Sequence, residues 1–85
     1  MPYDRPIIQI IQECAELLTA INKTPFSRQD IIKLIKWKYN EVNNDTINPL
    51  IQGMTDNLRG GAPGSTGRNI LHNVGRGQFI LSRNR

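Results

Sequence analysis

A mainly helical α+β domain, three helices followed by one β-hairpin, is predicted by three features of the sequence. Apolar residues recur at three- and four-residue steps through two early segments and again after Thr46. A Gly- and Pro-rich stretch over 60–67 then breaks the helical pattern. Two short runs with strand character follow, joined by Gly75-Arg76-Gly77. With 85 residues, one core and one domain spanning 1–85 are expected.

The first helix is expected at about 6–22. Ile7, Ile11, Cys14, Ala15, Leu18 and Ile21 share one face, which Ile8, Ile10 and Leu17 widen. Asp4 is placed to cap it, and Pro6 falls in the first turn, where a missing N–H costs nothing.

Ser27-x-x-Asp30 has the form of a capping box, with Phe26 and Ile31 set for a hydrophobic staple, so the second helix begins at Arg28 and runs to about 42. Ile31, Ile32, Ile35, Tyr39 and Val42 form its core face, while Lys33, Lys36 and Trp37 look the other way. Trp37, with Leu34 beside it, is a candidate protein interface; packing under the C-terminal tail is the competing reading.

Pro49 suits a first helical turn, so Thr46 or Asn48 is the expected N-cap of a third helix over about 47–58. Ile47, Leu50, Ile51, Met54 and Leu58 point inward. Asn48, Gln52, Thr55 and Arg59 recur at four, three and four residues and line the other side. Gly53 on that side lowers helix propensity by about 1 kcal/mol against Ala, and its presence there is read either as close approach of a neighbour to the helix backbone or as relief of crowding. Residues 60–67 are expected to form a mobile loop, and Ile70 to Val74 and Gln78 to Ser82 to make a hairpin over about 69–82.

The order is helix, helix, helix, strand, strand, with room for a short strand between the first two helices. This is the layout of the winged helix-turn-helix, whose third helix enters the DNA major groove and whose hairpin is the wing. Asn and Gln pair with adenine, Arg with guanine, and Thr bonds a base or packs on a thymine methyl. Asn48, Gln52, Thr55 and Arg59 are therefore candidate base-reading residues in double-stranded DNA. Arg76 at the hairpin tip is a candidate for minor-groove or phosphate contact, with Arg68, Arg83 and Lys23 as further backbone candidates.

Charge points the same way. The formal net charge is +4, and the segment 59–85 holds Arg59, Arg68, Arg76, Arg83 and Arg85 with no Asp or Glu. Arginine suits bidentate contact with phosphate and guanine. The loop at 60–67 lacks the Gly-Lys-Ser/Thr ending of a nucleotide-binding loop and reads as a plain connection before a phosphate cradle.

No catalytic constellation is legible. His72 has no second histidine and no evident nucleophile, and Glu13 and Glu16 are a spacing common on solvated helices. Cys14 and His72, each the sole residue of its type, cannot assemble the usual zinc sets. The expectations are thus no enzyme, no metal, no cofactor and no small-molecule ligand. No run is apolar enough to span a membrane and no signal-peptide pattern is present, so a cytoplasmic protein is expected.

The runs Asp45-Thr46-Ile47-Asn48-Pro49-Leu50-Ile51-Gln52-Gly53-Met54-Thr55-Asp56-Asn57 and Ile70-Leu71-His72-Asn73-Val74-Gly75-Arg76-Gly77-Gln78-Phe79-Ile80-Leu81 carry a resemblance. Together they resemble winged-helix specificity domains attached to prokaryotic restriction endonucleases, some of which sense 5-methylcytosine. The resemblance implies target reading by Thr46, Asn48, Gln52 and Thr55, groove or backbone contact by Arg76, and a fused or associated nuclease domain as partner. The chain would then be either an excised target-recognition domain or a DNA-binding protein acting alone. The alternative is a winged-helix protein-interaction or transcription-regulator module.

Overall fold

The computed structural model describes residues 6–39 and 43–84. The sequence expectations for Asp4 and Val42 lie outside those residues. The elements run α1 (Ile7–Ala20), β1 (Phe26–Ser27), α2 (Arg28–Lys38), α3 (Asn44–Met54), β2 (Leu71–Gly75) and β3 (Gln78–Leu81), followed by a 3-10 turn (Ser82–Asn84). It is a small α+β fold: three helices on a three-stranded antiparallel sheet ordered β1-β3-β2.

Helix α1 is shorter than its apolar pattern. Pro6 is the N-cap, and the helix closes on a left-handed Asn22 (φ 60°). Asn22 N–H donates to Thr19 O at 3.1 Å and Lys23 N–H to Leu18 O at 2.8 Å, the two bonds of a Schellman ending. Ile10, Ile11, Ala15 and Leu18 are buried, whereas Ile21, expected inside, falls beyond the last turn and is exposed.

The start of α2 follows local chemistry closely. Ser27 Oγ accepts from Asp30 N at 3.2 Å and Asp30 Oδ2 accepts from Ser27 N at 2.9 Å, so both halves of the capping box are made. Phe26 and Ile31, the staple pair, are both fully buried. Ser27 also pairs with Gln78 and Phe26 with Phe79, so one dipeptide ends a strand and caps a helix.

Helix α3 starts three residues before the expected 47 and ends four before 58. Its N-cap is Asn43, whose Oδ1 accepts from Asp45 N at 2.8 Å, and not Thr46 or Asn48. Pro49 consequently lies inside the helix, not in its first turn. After Met54 the chain turns extended and runs parallel to β2: Thr55 bridges Leu71, and Asp56 N–H donates to Leu71 O at 2.8 Å. The Asn57 side chain continues the ladder, donating from Nδ2 to Asn73 O at 2.7 Å and accepting from Asn73 N at 2.9 Å. This segment covers the free edge of β2, the other edge being the two-residue β1.

The core lies where the three helices meet the sheet. Ile11, Ile31, Ile32, Ile35, Ile47, Ile51, Met54, Leu71, Phe26 and Phe79 fill it, while Leu58, expected inside, packs only partly. Each fully buried aliphatic or phenyl side chain contributes roughly 1.5–3 kcal/mol of transfer free energy, so this cluster holds the domain together. No helix among the described residues is long and apolar enough to cross a membrane.

Candidate nucleic-acid interface

Arg28 occupies the first position of α2, beside the cap at Ser27. A cation there opposes the helix dipole, and long-range contacts offset the conflict. Nη1 donates to Asn48 O at 3.0 Å and Nη2 to Gln52 Oε1 at 2.6 Å, both on α3, and the guanidinium lies 5.4 Å from the centroid of the Phe79 ring on β3. Partial burial lowers its pKa from the usual arginine value, yet an arginine stays cationic at neutral pH. One guanidinium thus ties together α2, α3 and the hairpin.

Two adjoining hollows share Arg28 and Asn48. One extends past Ser27 and Gln29 to Gly77 in the hairpin turn, the other past Pro49 and Gln52 to Gly61 and Ala62. They form a shallow trough from the hairpin turn, across Arg28, to the Gly-rich loop. Asn48 Oδ1 is buried and has no hydrogen-bond partner among the described residues, and the same is true of Asn44 Oδ1 one turn earlier. Leaving such an acceptor unmatched costs about 1–3 kcal/mol. Thr46 on the same helix is exposed, and so is Asp45.

The C-terminal half of α3 is not an open reading edge. Thr55 is 3% exposed and its Oγ1 donates to Ile51 O at 2.7 Å, so it cannot meet a base. Helix α3 ends before Thr55, which turns this residue inward. Arg59 is exposed but lies beyond the helix and so leaves the expected face. Gln52 is bonded at both ends, accepting from Arg28 and donating from Nε2 to Arg59 O at 2.7 Å. It positions Arg28 and anchors the loop.

Residues 60–67, expected to be mobile, are tied onto α3. Gly61 lies so close to Gly53 that a Cβ at Gly61 would overlap the Gly53 Cα and N, and Ala62 N–H donates to Pro49 O at 3.0 Å. Pro49 lacks an N–H but keeps its carbonyl, which accepts this bond from the loop. Ser65 is fully buried against Gly53, its Oγ donating to Ala62 O at 2.6 Å. Gly53 is therefore buried, not exposed, and of its two sequence readings close approach of a neighbour is the one the packing matches. Two glycines allow backbone to meet backbone, which an anchoring apolar side chain was not needed to achieve.

The turn Arg76-Gly77 has positive φ at both residues, 55° and 72°, as a tight two-residue hairpin requires. Arg76 is exposed there, next to the Gly77 end of the trough. The other three backbone candidates do not line the trough. Lys23 lies 3.7 Å from Asp30, Arg83 lies 3.6 Å from Glu16 on α1, and Arg68 shares a hollow with Glu13 and Glu16. Trp37 and Leu34 are on the far half of α2, with Trp37 85% exposed.

His72 is explained by packing. Its Nδ1 is 2.8 Å from Asp56 Oδ1, and Asp56 Oδ2 accepts from Ser82 Oγ at 3.1 Å. The serine bonds the carboxylate and not the imidazole, so the three residues clamp the post-α3 segment to β2 and the 3-10 turn. This is not the nucleophile-to-base geometry of a hydrolase.

Arg28, which joins the two hollows of the trough, was not among the site residues expected from the sequence. Its partners lie 20 and 24 residues away, beyond any periodic pattern, but the misplaced charge at a helix start was a signal. Comparison with known proteins finds no match among curated proteins or solved structures. A family profile described as a domain of unknown function, DUF7669, matches residues 6–81, and the chain belongs to that family.

Proposed function

We propose that the domain binds double-stranded DNA through the trough, as a winged helix whose wing is the β2–β3 hairpin. The observation that carries this reading is Arg28, a cation held by two hydrogen bonds and an aromatic ring beside the unmatched acceptor of Asn48. A guanidinium fixed in this way meets phosphate or guanine with little further loss of side-chain freedom. Base contact falls to the N-terminal half of α3, where Thr46 is exposed and Asn48 half-buried, with Arg28 beside them, and Arg76 reaches the flanking backbone or minor groove. Gln52 acts through Arg28, and Thr55 has no part in reading.

The narrower role, target recognition for a restriction endonuclease with sensitivity to 5-methylcytosine, is supported by the resemblance of 45–57 and 70–81 alone. Selection from random duplex libraries, methylated and unmethylated in parallel, followed by anisotropy titration at several salt concentrations, tests both levels. Arg28→Ala is expected to weaken the selected duplex about 10- to 100-fold, the range of a lost bidentate base contact. Arg28→Lys, which keeps the charge, separates reading from simple attraction, and thermal melts of both variants control for folding. If no duplex is enriched, or if Arg28→Ala binds an enriched duplex as the parent does, the trough is not the interface.

A further inference from the structure

Three of the four large hydrophobic side chains exposed among the described residues, Leu17, Ile21 and Trp37, lie along the seam between α1 and α2. Two hollows run there on either side of Trp37 and share it with half-buried Leu34. Cys14 and Leu17 line one hollow, and Leu18 and Ile21 the other. None of these residues lines the trough around Arg28.

The rim of the patch is cationic. Lys33 and Lys38 on α2 and Lys23 at the end of α1 line the two hollows, all three exposed and Lys23 60% so. The acids beside the hollows are Asp30 and Glu13. Asp30 is committed to the α2 cap and to Lys23, and Glu13 is engaged within the protein. A second copy of the chain would have to set one lysine rim against another, since a two-fold contact brings like surface to like surface. A partner with the opposite charge has no such conflict.

We infer that this patch is a docking site for an amphipathic helix of another protein, with an apolar stripe that straddles Trp37 and acidic residues along both flanks. A helix laid in the cleft between two helices buries anchors at three- and four-residue steps. The lysine rim selects acidic flanks and speeds encounter. The site gives the domain a means of being recruited that is separate from the trough.

Trp37 is the sole tryptophan, so its emission reports directly on the site. The probe is a displayed library of randomised 18-residue helical peptides, selected on the parent protein and counter-selected on L17S/L34S. Enriched peptides are expected to carry an apolar stripe with Glu or Asp on its flanks. As synthetic peptides they should shift Trp37 emission to the blue at one-to-one stoichiometry and bind about tenfold more weakly to K33E/K38E. The duplex sequence preferred in selection should be the same in that variant as in the parent. The inference is overturned if no peptide depends on the patch, or if the enriched flanks are neutral or basic. It is equally overturned if the blue shift follows protein concentration alone or needs vesicles of phosphatidylserine.

Discussion

Two glycine-rich segments with the same sequence signature do opposite things. In 60–67 the glycines let the chain close onto α3, Gly61 against Gly53, and bury Ser65 completely. In the hairpin, Cβ atoms built on Gly75 and Gly77 meet nothing within 4 Å, and positive φ alone accounts for the residue choice. Composition declares that a backbone is permissive, but only the neighbours decide whether the freedom serves a contact or a turn. Here the contact covers one half of α3 and the turn leaves the hairpin tip clear.

The largest expected effect lies at the contact. Gly61→Ala combines a positive φ of 117° with overlap of the Gly53 backbone, and relief requires the loop to lift from α3. A loss of about 2–4 kcal/mol is expected in urea unfolding. Gly60→Ala, with a φ of 81° but open space around it, isolates the conformational part and should lose about 1–2 kcal/mol. Equal losses at the two positions would mean that the loop does not seat on the helix.

Gly53→Ala is a sharper probe because two effects oppose. Helix propensity alone favours alanine by about 1 kcal/mol, yet the added methyl would overlap Ser65 Oγ and approach Thr66 N to 3.1 Å. A net loss of about 1–2 kcal/mol is expected, with partial recovery in Gly53→Ala/Ser65→Gly. Stabilisation by the single change in a chemical melt would contradict the packing.

This contrast also marks what was legible in the sequence. Features governed by neighbours a few residues apart could be read: the capping box at Ser27 and Asp30, the apolar faces of α2 and α3, and the hairpin around Arg76. The boundaries of α3 could not, because Asn43 outcompetes Thr46 and Asn48 as cap, and the segment after Met54 gains a parallel partner in β2. That shift alone turned Thr55 from an expected reader into a buried residue. Of the candidate interface, Asn48 and the Gly77 end of the hairpin meet at the trough, while Gln52 and Arg28 acquire their roles from each other across 24 residues. Separations of that length leave no periodic trace.

The cap of α2 offers an intermediate effect of purely local origin. Ser27→Ala should lose about 1 kcal/mol. The Asp30 carboxyl is held below its ordinary pKa, first by the hydrogen bond from the Ser27 backbone N–H and further by the nearby Lys23 and Lys33 charges, against an opposing effect of burial. A lowered pKa in the folded state means that Asp30 adds stability above about pH 4, lost as pH falls through the folded value. Asp30→Asn should flatten that part of a stability-versus-pH curve, whereas Gly61→Ala should lower the curve without changing its slope there. A parallel acid dependence in Asp30→Asn and the parent would remove the cap from the account.

The smallest effect on stability is expected at the hairpin tip, where the effect on binding is not small. Arg76 has a φ of 55°, a conformation that glycine adopts without penalty and that costs other residues about 1 kcal/mol. Arg76→Gly removes that strain while giving the unfolded chain extra freedom of comparable size, so the melting curve should move by less than about 0.5 kcal/mol. If the hairpin is a wing, the same change removes one cation from the duplex and should reduce the slope of log affinity against log salt by about one. An unchanged slope in a variant that folds as the parent does would show that the free turn, unlike the clamped loop, is left clear for something other than DNA.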